Sequence, residues 1–240
     1  MTNLPIHGLR PYSVDPVRTE SLPFRVRLAN TDHDLHRLVQ LRAAAYGRHV
    51  PGMERVLAQP EEDDFRPDVA LILAECKTTG EVLGSMRLVT NFQHPLHIET
   101  EIELPALFTA RNLMEAWRLT VRPGPAGKMV TAALYKVLYE VGYAADVDHV
   151  LVVARRPVDR LYQSMQFKEA LAGQKIALSN TLGLPHSLYH LPVKDADRLW
   201  RQAQCALYPF MAMTVHPDLE VHHHEVTQRF FAAAYAEDRL

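Results

Sequence analysis

The chain lacks any long hydrophobic run. Although 48% of its 240 residues are apolar, the uninterrupted stretches are short, such as Val69–Ala74 and Val150–Ala154. A helix that crosses a bilayer takes about 20 consecutive apolar residues, so none is expected. Met1 to Glu20 carries no apolar core of the secretory kind, and no signal of that type is expected. Cysteine is scarce. Cys76 and Cys205 alone cannot build a disulfide framework, which makes a reducing cytoplasm the expected compartment. A large excess of one charge is missing too: a net charge of −2 and a pI near 6.7 leave out the basic footprint of a nucleic-acid binder. The triplet His222-His223-His224 lacks metal-ligand spacing, because one helix face presents positions three or four apart. It reads as surface histidine, and no metal centre is expected.

What is present is an alternation of strand and helix patterns. Pro5, Pro11, Pro16 and Pro23 fix φ and lack a backbone donor, so residues 1–22 read as an arm. Phe24 to Leu28 alternates apolar and polar, the period of a half-buried strand. Thr31 or Asp32 offers a cap for a helix over 32–46 that carries Leu35, Leu38, Val39 and Leu41. An acidic, proline-bounded loop follows through Glu61-Glu62-Asp63-Asp64. The runs Val69–Cys76 and Val82–Val89, joined by a polar loop with Gly80, read as a β-hairpin. After an irregular stretch near Pro95–Pro105, Leu113–Val121 reads as a strand broken by Pro123-Gly124-Pro125. A helix over 129–144, a doubly covered strand at Val150–Ala154 and a helix from Val158 to Phe167 come next. The C-terminal part predicts a strand at Ser187–Val193 and helices over 194–207 and 222–236. Met211-Ala212-Met213 reads as core, with an acyl-chain wall as its alternative. The pattern implies an α/β (α+β) sheet domain.

Three segments resemble the GCN5-related N-acetyltransferase (GNAT) fold, and more narrowly its branch of acyl-homoserine-lactone and N-acyl amino acid synthases. Gly84-Ser85-Met86-Arg87-Leu88 resembles the family's Gly-x-x-Arg-Leu strand. Glu115-Ala116-Trp117-Arg118-Leu119-Thr120-Val121 is similar to its Glu-x-x-Arg-Leu-x-Val strand, and Tyr162 to Phe167 to its Tyr-x-x-x-Gly-Phe element, with Gln166 at the glycine. Arg42 and Tyr46 match the first helix of the synthases. The resemblance implies a mixed, mostly antiparallel sheet with a V-shaped splay between two central strands. The GNAT-like core would occupy residues 23–170, with residues 171–240 as an extension packed on it.

The resemblance also implies a reaction: attack of an amine on a thioester carbonyl, with no covalent enzyme intermediate and no permanently bound cofactor. Glu115 is then the base, and a β-bulge known in this strand would turn Glu115 and Arg118 to one side. A structural ion pair between the two is the alternative. Tyr162 would protonate the departing thiolate, a phenol being well matched to that task; a packing tyrosine is its alternative. Thr120, Val121, Arg122, Gly124, Gly127 and Lys128 would hold the donor's pantetheine. Arg42 and Arg87 would pair bidentately with an acceptor carboxylate, with Asp64 ordering the acidic loop or holding an ammonium group. Pro125 stands at a glycine of the family's pyrophosphate loop and donates no N–H. That departure favours an acyl-carrier protein, with one phosphodiester on its 4'-phosphopantetheine, over coenzyme A. Between Arg122 and Lys168, seven basic residues face four acidic ones, giving +3 against −5 elsewhere. Arg155, Arg156 and Arg160 would thus dock an acidic carrier. The expected product is an N-acyl amino acid. Open beside it stand acetyl-coenzyme A transfer to a small amine, an autoinducer synthase, and a degenerate domain that binds without turnover.

Overall fold

The structure, a computed structural model, describes residues 11–179 and 183–231. Among its described residues, the proline-rich N-terminal segment forms a two-residue strand, β1 (Arg18–Thr19), which runs parallel to Thr214–Val215. Strand β2 (Phe24–Leu28) buries every second residue as its alternation requires. Helix α1 (Asp32–Gly47) starts where the Thr31 hydroxyl accepts from the Asp34 N–H at 3.1 Å, with Asp32 and Asp34 favourable in its first turn. A short helix α2 (Met53–Val56) and a 3₁₀ turn at Glu62–Phe65 lead into the hairpin of β3 (Val69–Cys76) and β4 (Val82–Thr90). The stretch read as irregular holds a small helix, α3 (His97–Glu101). Then come β5 (Leu113–Val121), α4 (Gly127–Ala144), β6 (His149–Ala154) and α5 (Asp159–Ser164). The chain continues through β7 (Lys168–Glu169), β8 (Ile176–Ala177), β9 (Pro185–Pro192), α6 (Ala196–Gln202), α7 (Tyr208–Ala212), β10 (Thr214–Val215) and α8 (His223–Phe231). The helix expected over 222–236 runs beyond the described residues.

One sheet carries β2-β3-β4-β5-β6-β9-β7 in that order, with β8 on β9. All pairs are antiparallel except β5 with β6. These two pair only over Leu113–Glu115 against His149–Leu151. Beyond Glu115 each strand keeps its outer neighbour: Val121 stays opposite Gly84 on β4, and Ala154 opposite Ser187 on β9. With both outer ladders intact and the sheet twisting, the central strands part and leave a V-shaped gap. Since β9 lies inside this sheet, the sheet continues past residue 170, where the sequence places the start of an extension.

Beside the gap β5 is bulged. Arg87 faces Trp117 and Ser85 faces Thr120, so one residue of β4, Met86, opposes two of β5, Arg118 and Leu119. The extra residue is Arg118, in the left-handed region at φ 51°. On one face of the sheet Val130, Leu134, Val137, Leu138 and Val141 of α4 pack on Ile72, Met86, Leu88 and Met114. On the other, Leu38, Val39 and Leu41 of α1, with Ile98 of α3, pack on Leu71, Leu73, Val89 and Leu113. Helix α4 crosses over Gly84, where a β-carbon would lie 2.6 Å from Val130 Cγ1. The helix expected over 194–207 stops at Gln202, with Gln204 left-handed at φ 49°. Helix α5 likewise ends at Ser164 instead of Phe167, and Gln166 takes φ 63°. Met211 is buried in the core.

Candidate active site

The bulge sets Arg118 on the same face as Glu115, Trp117 and Arg87, above which lies the acidic turn after α2. Three arginines from three elements converge on that turn. Arg42 of α1 donates to Asp64 Oδ2 at 2.9 Å and Oδ1 at 3.1 Å, and to Glu61 Oε2 at 3.1 Å. Arg87 of β4 donates to Asp64 Oδ1 at 2.5 Å and Glu61 Oε2 at 2.9 Å. Arg118 reaches Glu61 with two bonds, 2.9 Å and 2.5 Å. Burial pushes the Glu61 and Asp64 carboxyls upward, but the guanidiniums outweigh it and hold both below the ordinary carboxylate range. The Arg118 guanidinium also stacks over Tyr46, 5.5 Å from the ring centre, and over Trp117 at 5.6 Å. Arg118 is therefore paired with Glu61 and not with Glu115.

Glu115 is fully buried beneath α3. Its Oε2 accepts a long bond, 3.4 Å, from the Ile98 N–H, and Oε1 has no hydrogen-bond partner among the described residues. Burial pushes its carboxyl up to about 8, against the smaller downward pull of the Ile98 N–H and the Trp117 indole. The His97 ring packs edge-on against Trp117, 4.6 Å between centres, so α3 fixes the roof over this carboxyl. A carboxyl of this kind is neutral near pH 7 and becomes a base once its proton is removed.

The gap between β5 and β6 is a cleft of about 460 Å³. Ala116 to Val121 lines one side and Val153 to Val158 the other. Tyr46, Val50 and Met53 close it from α1 and α2, and Leu178, Leu184 and His186 from the C-terminal part. Tyr162 of α5 stands in its wall. Burial, then the neighbouring Tyr46, pushes the Tyr162 phenol upward, so it stays protonated across the physiological range. The Arg122 N–H donates to Leu83 O at 2.8 Å. By the alternation of an antiparallel ladder, the Thr120 N–H then faces β4 while the Val121 N–H faces the gap. At the end of β5, Gly124 (φ 151°) turns the chain into α4, whose first N–H groups lie beside the turn.

Glu115 is buried beneath α3 and is not in the cleft lining; the other expected site residues fall into three groups. Arg118, Thr120, Val121, Tyr162, Arg155 and Arg156 line the cleft. Arg122, Gly124, Lys128 and Arg160 are exposed, and Gly127 partly so, outside the lining of the cleft. Arg42, Asp64 and Arg87 are buried in the ion-pair network, one contact behind Arg118. Arg42, Arg87 and Arg118 are all engaged by Asp64 or Glu61, so no fork is open to an acceptor carboxylate as the site stands, but Arg118 alone of the three also lines the cleft. Glu61 escaped the sequence reading although the acid run around it was visible. Its role depends on where Arg118 arrives, and only the bulge decides that.

A largely antiparallel sheet whose one parallel pair parts around a cleft, beside a bulged strand, defines a GNAT-fold acyltransferase. Solved structures agree on the fold. FeeM, an N-acyl amino acid synthase from uncultured soil microbes, superposes with a TM-score of 0.57 at 13% identity, over 78% of this chain and 97% of that one. A coenzyme A-dependent acyl-homoserine lactone synthase, MesI, gives 0.52 at 17% identity over 75% and 94%. The aminoglycoside acetyltransferase AAC(6')-Ib, in complex with coenzyme A, gives 0.52 at 17% identity over 74% and 99%. No curated protein matches the chain in sequence. The family model for N-acyl amino acid synthase FeeM matches residues 37–192. The chain belongs to that family and is an N-acyltransferase. Among the described residues no helix is long and apolar enough to cross a membrane.

Proposed function

We propose that the protein transfers an acyl group from the 4'-phosphopantetheine thioester of an acyl-carrier protein to the amine of an amino acid. The observation that carries this is the cleft of about 460 Å³ between the parted strands, a volume suited to one small-molecule site. Its walls are largely apolar, with Tyr162 in one of them, and Arg155 and Arg156 belong to its lining. The thioester carbonyl is held against the Val121 N–H, a donor left outside the ladder by the splay. Glu115, acting through a water, accepts the proton of the attacking amine, and Tyr162 hydrogen-bonds the departing sulfur. Arg118, its fork held by Glu61, lends its positive charge at the cleft wall to the acceptor carboxylate, while Arg42, Asp64 and Arg87 act through that network as positioning residues. Thr120, Arg122, Gly124, Gly127 and Lys128 form the track for the pantetheine arm and its phosphodiester at the start of α4. Arg155, Arg156 and Arg160 form the docking rim for the acidic carrier.

Pro125, which donates no N–H at this turn, supports a carrier-bound donor over coenzyme A. The test is mass spectrometry of purified enzyme incubated with a mixture of amino acids and either acyl-carrier-protein or acyl-coenzyme A thioesters. N-acyl amino acids formed from the carrier at much higher kcat/KM support the reading. Equal use of coenzyme A removes the carrier preference, and no product with either donor overturns the function.

A further inference from the structure

Behind Tyr162 stands a second phenol with no assigned task. Tyr135, on α4, has its ring centre 5.5 Å from that of Tyr162, the planes inclined at 59°. Tyr135 is 2% exposed, and its hydroxyl, which makes no hydrogen bond of normal geometry among the described residues, has the Tyr162 hydroxyl as its polar neighbour. A buried hydroxyl so weakly bonded contributes little to stability, and phenylalanine would fill the same space. Tyr162 has a matching deficit. Burial and Tyr46 push its phenol upward, which makes a phenolate costly, and the neighbouring Tyr135 hydroxyl is the influence that acts the other way. The two phenols are neighbours across the α4–α5 contact, with Tyr162 towards the cleft and Tyr135 towards the core.

We infer that Tyr135 is a positioning residue for acyl transfer: its O–H turns to Tyr162 Oη, aims the Tyr162 proton into the cleft and stabilises the phenolate left behind. The inference rests on the transfer reaction proposed above. In that reaction the amine nitrogen forms a bond to the thioester carbon, and the carbon–sulfur bond breaks with its electron pair on sulfur. Glu115 holds the proton lost by nitrogen, and Tyr162 gives its proton to the thiolate. The Glu115 proton then returns to the Tyr162 phenolate through water, leaving an amide, a free thiol and the enzyme as it began. Tyr135 loses no proton at any step. It donates one hydrogen bond that strengthens as charge develops on Tyr162 Oη.

The test is Tyr135→Phe, with Tyr143→Phe on the same helix as a control, assayed by single turnover. A lost hydrogen bond to a developing charge predicts a fall in rate of about ten- to a hundredfold with KM unchanged. Thermal stability should change little, since the bond lost is weak until charge develops on Tyr162 Oη. Two readouts separate positioning from packing. In a Tyr162→Phe background, Tyr135→Phe should cost nothing further. With an aryl thioester, whose thiolate leaves without a proton, the loss should shrink towards wild type. A Tyr135→Phe enzyme with wild-type rate overturns the inference, as does an equal loss in both backgrounds or with both thioesters. A Tyr162→Phe enzyme with wild-type rate overturns it too, whereas a wild-type protein that makes no amide overturns the reaction itself.

Discussion

At the scale of single residues, the proposed transfer turns on a carboxyl that the fold keeps neutral. Glu115 is held at about 8 by burial, well above its ordinary value. As a base it must be ionised, so kcat/KM should rise with pH and level off above about 8, and that limb should vanish in Glu115→Gln together with about 10²- to 10⁴-fold of the rate. A pH–rate profile of both enzymes checks it. The same shift has a consequence for stability. A group raised in the folded state keeps its proton while the unfolded chain releases it, so this contribution is present below the ordinary glutamate range and is lost as pH rises through about 8. Glu115→Gln should therefore melt close to wild type in mild acid and above it at pH 9, a comparison made by thermal denaturation in the two buffers.

At the scale of elements, the acidic turn acts as a clamp that joins α1, β4 and the bulge of β5. Removing one member leaves the others buried and unpaired, which is costlier than losing the attraction itself. Asp64→Ala leaves the buried guanidiniums of Arg42 and Arg87 sharing one Glu61 oxygen, already engaged with Arg118, and should destabilise the fold by about 3 kcal/mol, read from denaturant unfolding. Gln166 shows the opposite situation. It holds φ 63° in the place where the resemblance expects glycine, so Gln166→Gly should stabilise by about 1 kcal/mol, measured in the same way. Much of this level was legible in the sequence. Alternation in Phe24–Leu28, the threonine cap of α1 and the apolar runs of the hairpin are local signals, and the elements follow them closely. The clamp was not legible, because Glu61 and Arg118 lie far apart in the chain and meet only through the bulge. Arg42 and Arg87 looked like free carboxylate forks for the same reason: a sequence shows a guanidinium but not the carboxylate already in it. Helix α3 was hidden by its brevity and by the prolines around it.

At the scale of the whole molecule, the splay gives the sheet two ends of different character. One end, where Leu113–Glu115 pairs with His149–Leu151, is closed and packed on both faces. The other opens into the cleft, and Arg122, Lys128, Arg155, Arg156 and Arg160 belong to the segments that frame it, the turn after β5, the start of α4, the turn after β6 and α5, whereas Lys136 is buried against Phe210 O and Thr214 O. Because the chain as a whole is slightly acidic, the local excess makes a dipolar surface rather than a generally cationic one. Such a surface steers an acidic macromolecule to one orientation while doing little for a small neutral thioester. Arg156, whose side chain is 82% exposed, pairs with Asp159 at a distant 3.9 Å, so changing it disturbs little packing among the described residues. Reversing charge in Arg156→Glu with Arg160→Glu should raise KM for an acyl-carrier-protein donor by about tenfold at low salt and leave kcat near wild type. The same pair should leave KM for an acyl-pantetheine thioester unchanged. Salt should close the difference between variant and wild type, because the Debye length falls to about 8 Å at physiological ionic strength and shortens further above it. Steady-state kinetics with both donors across a salt series reads the outcome, and an equal KM for the carrier in variant and wild type at low salt would remove this rim from the docking surface.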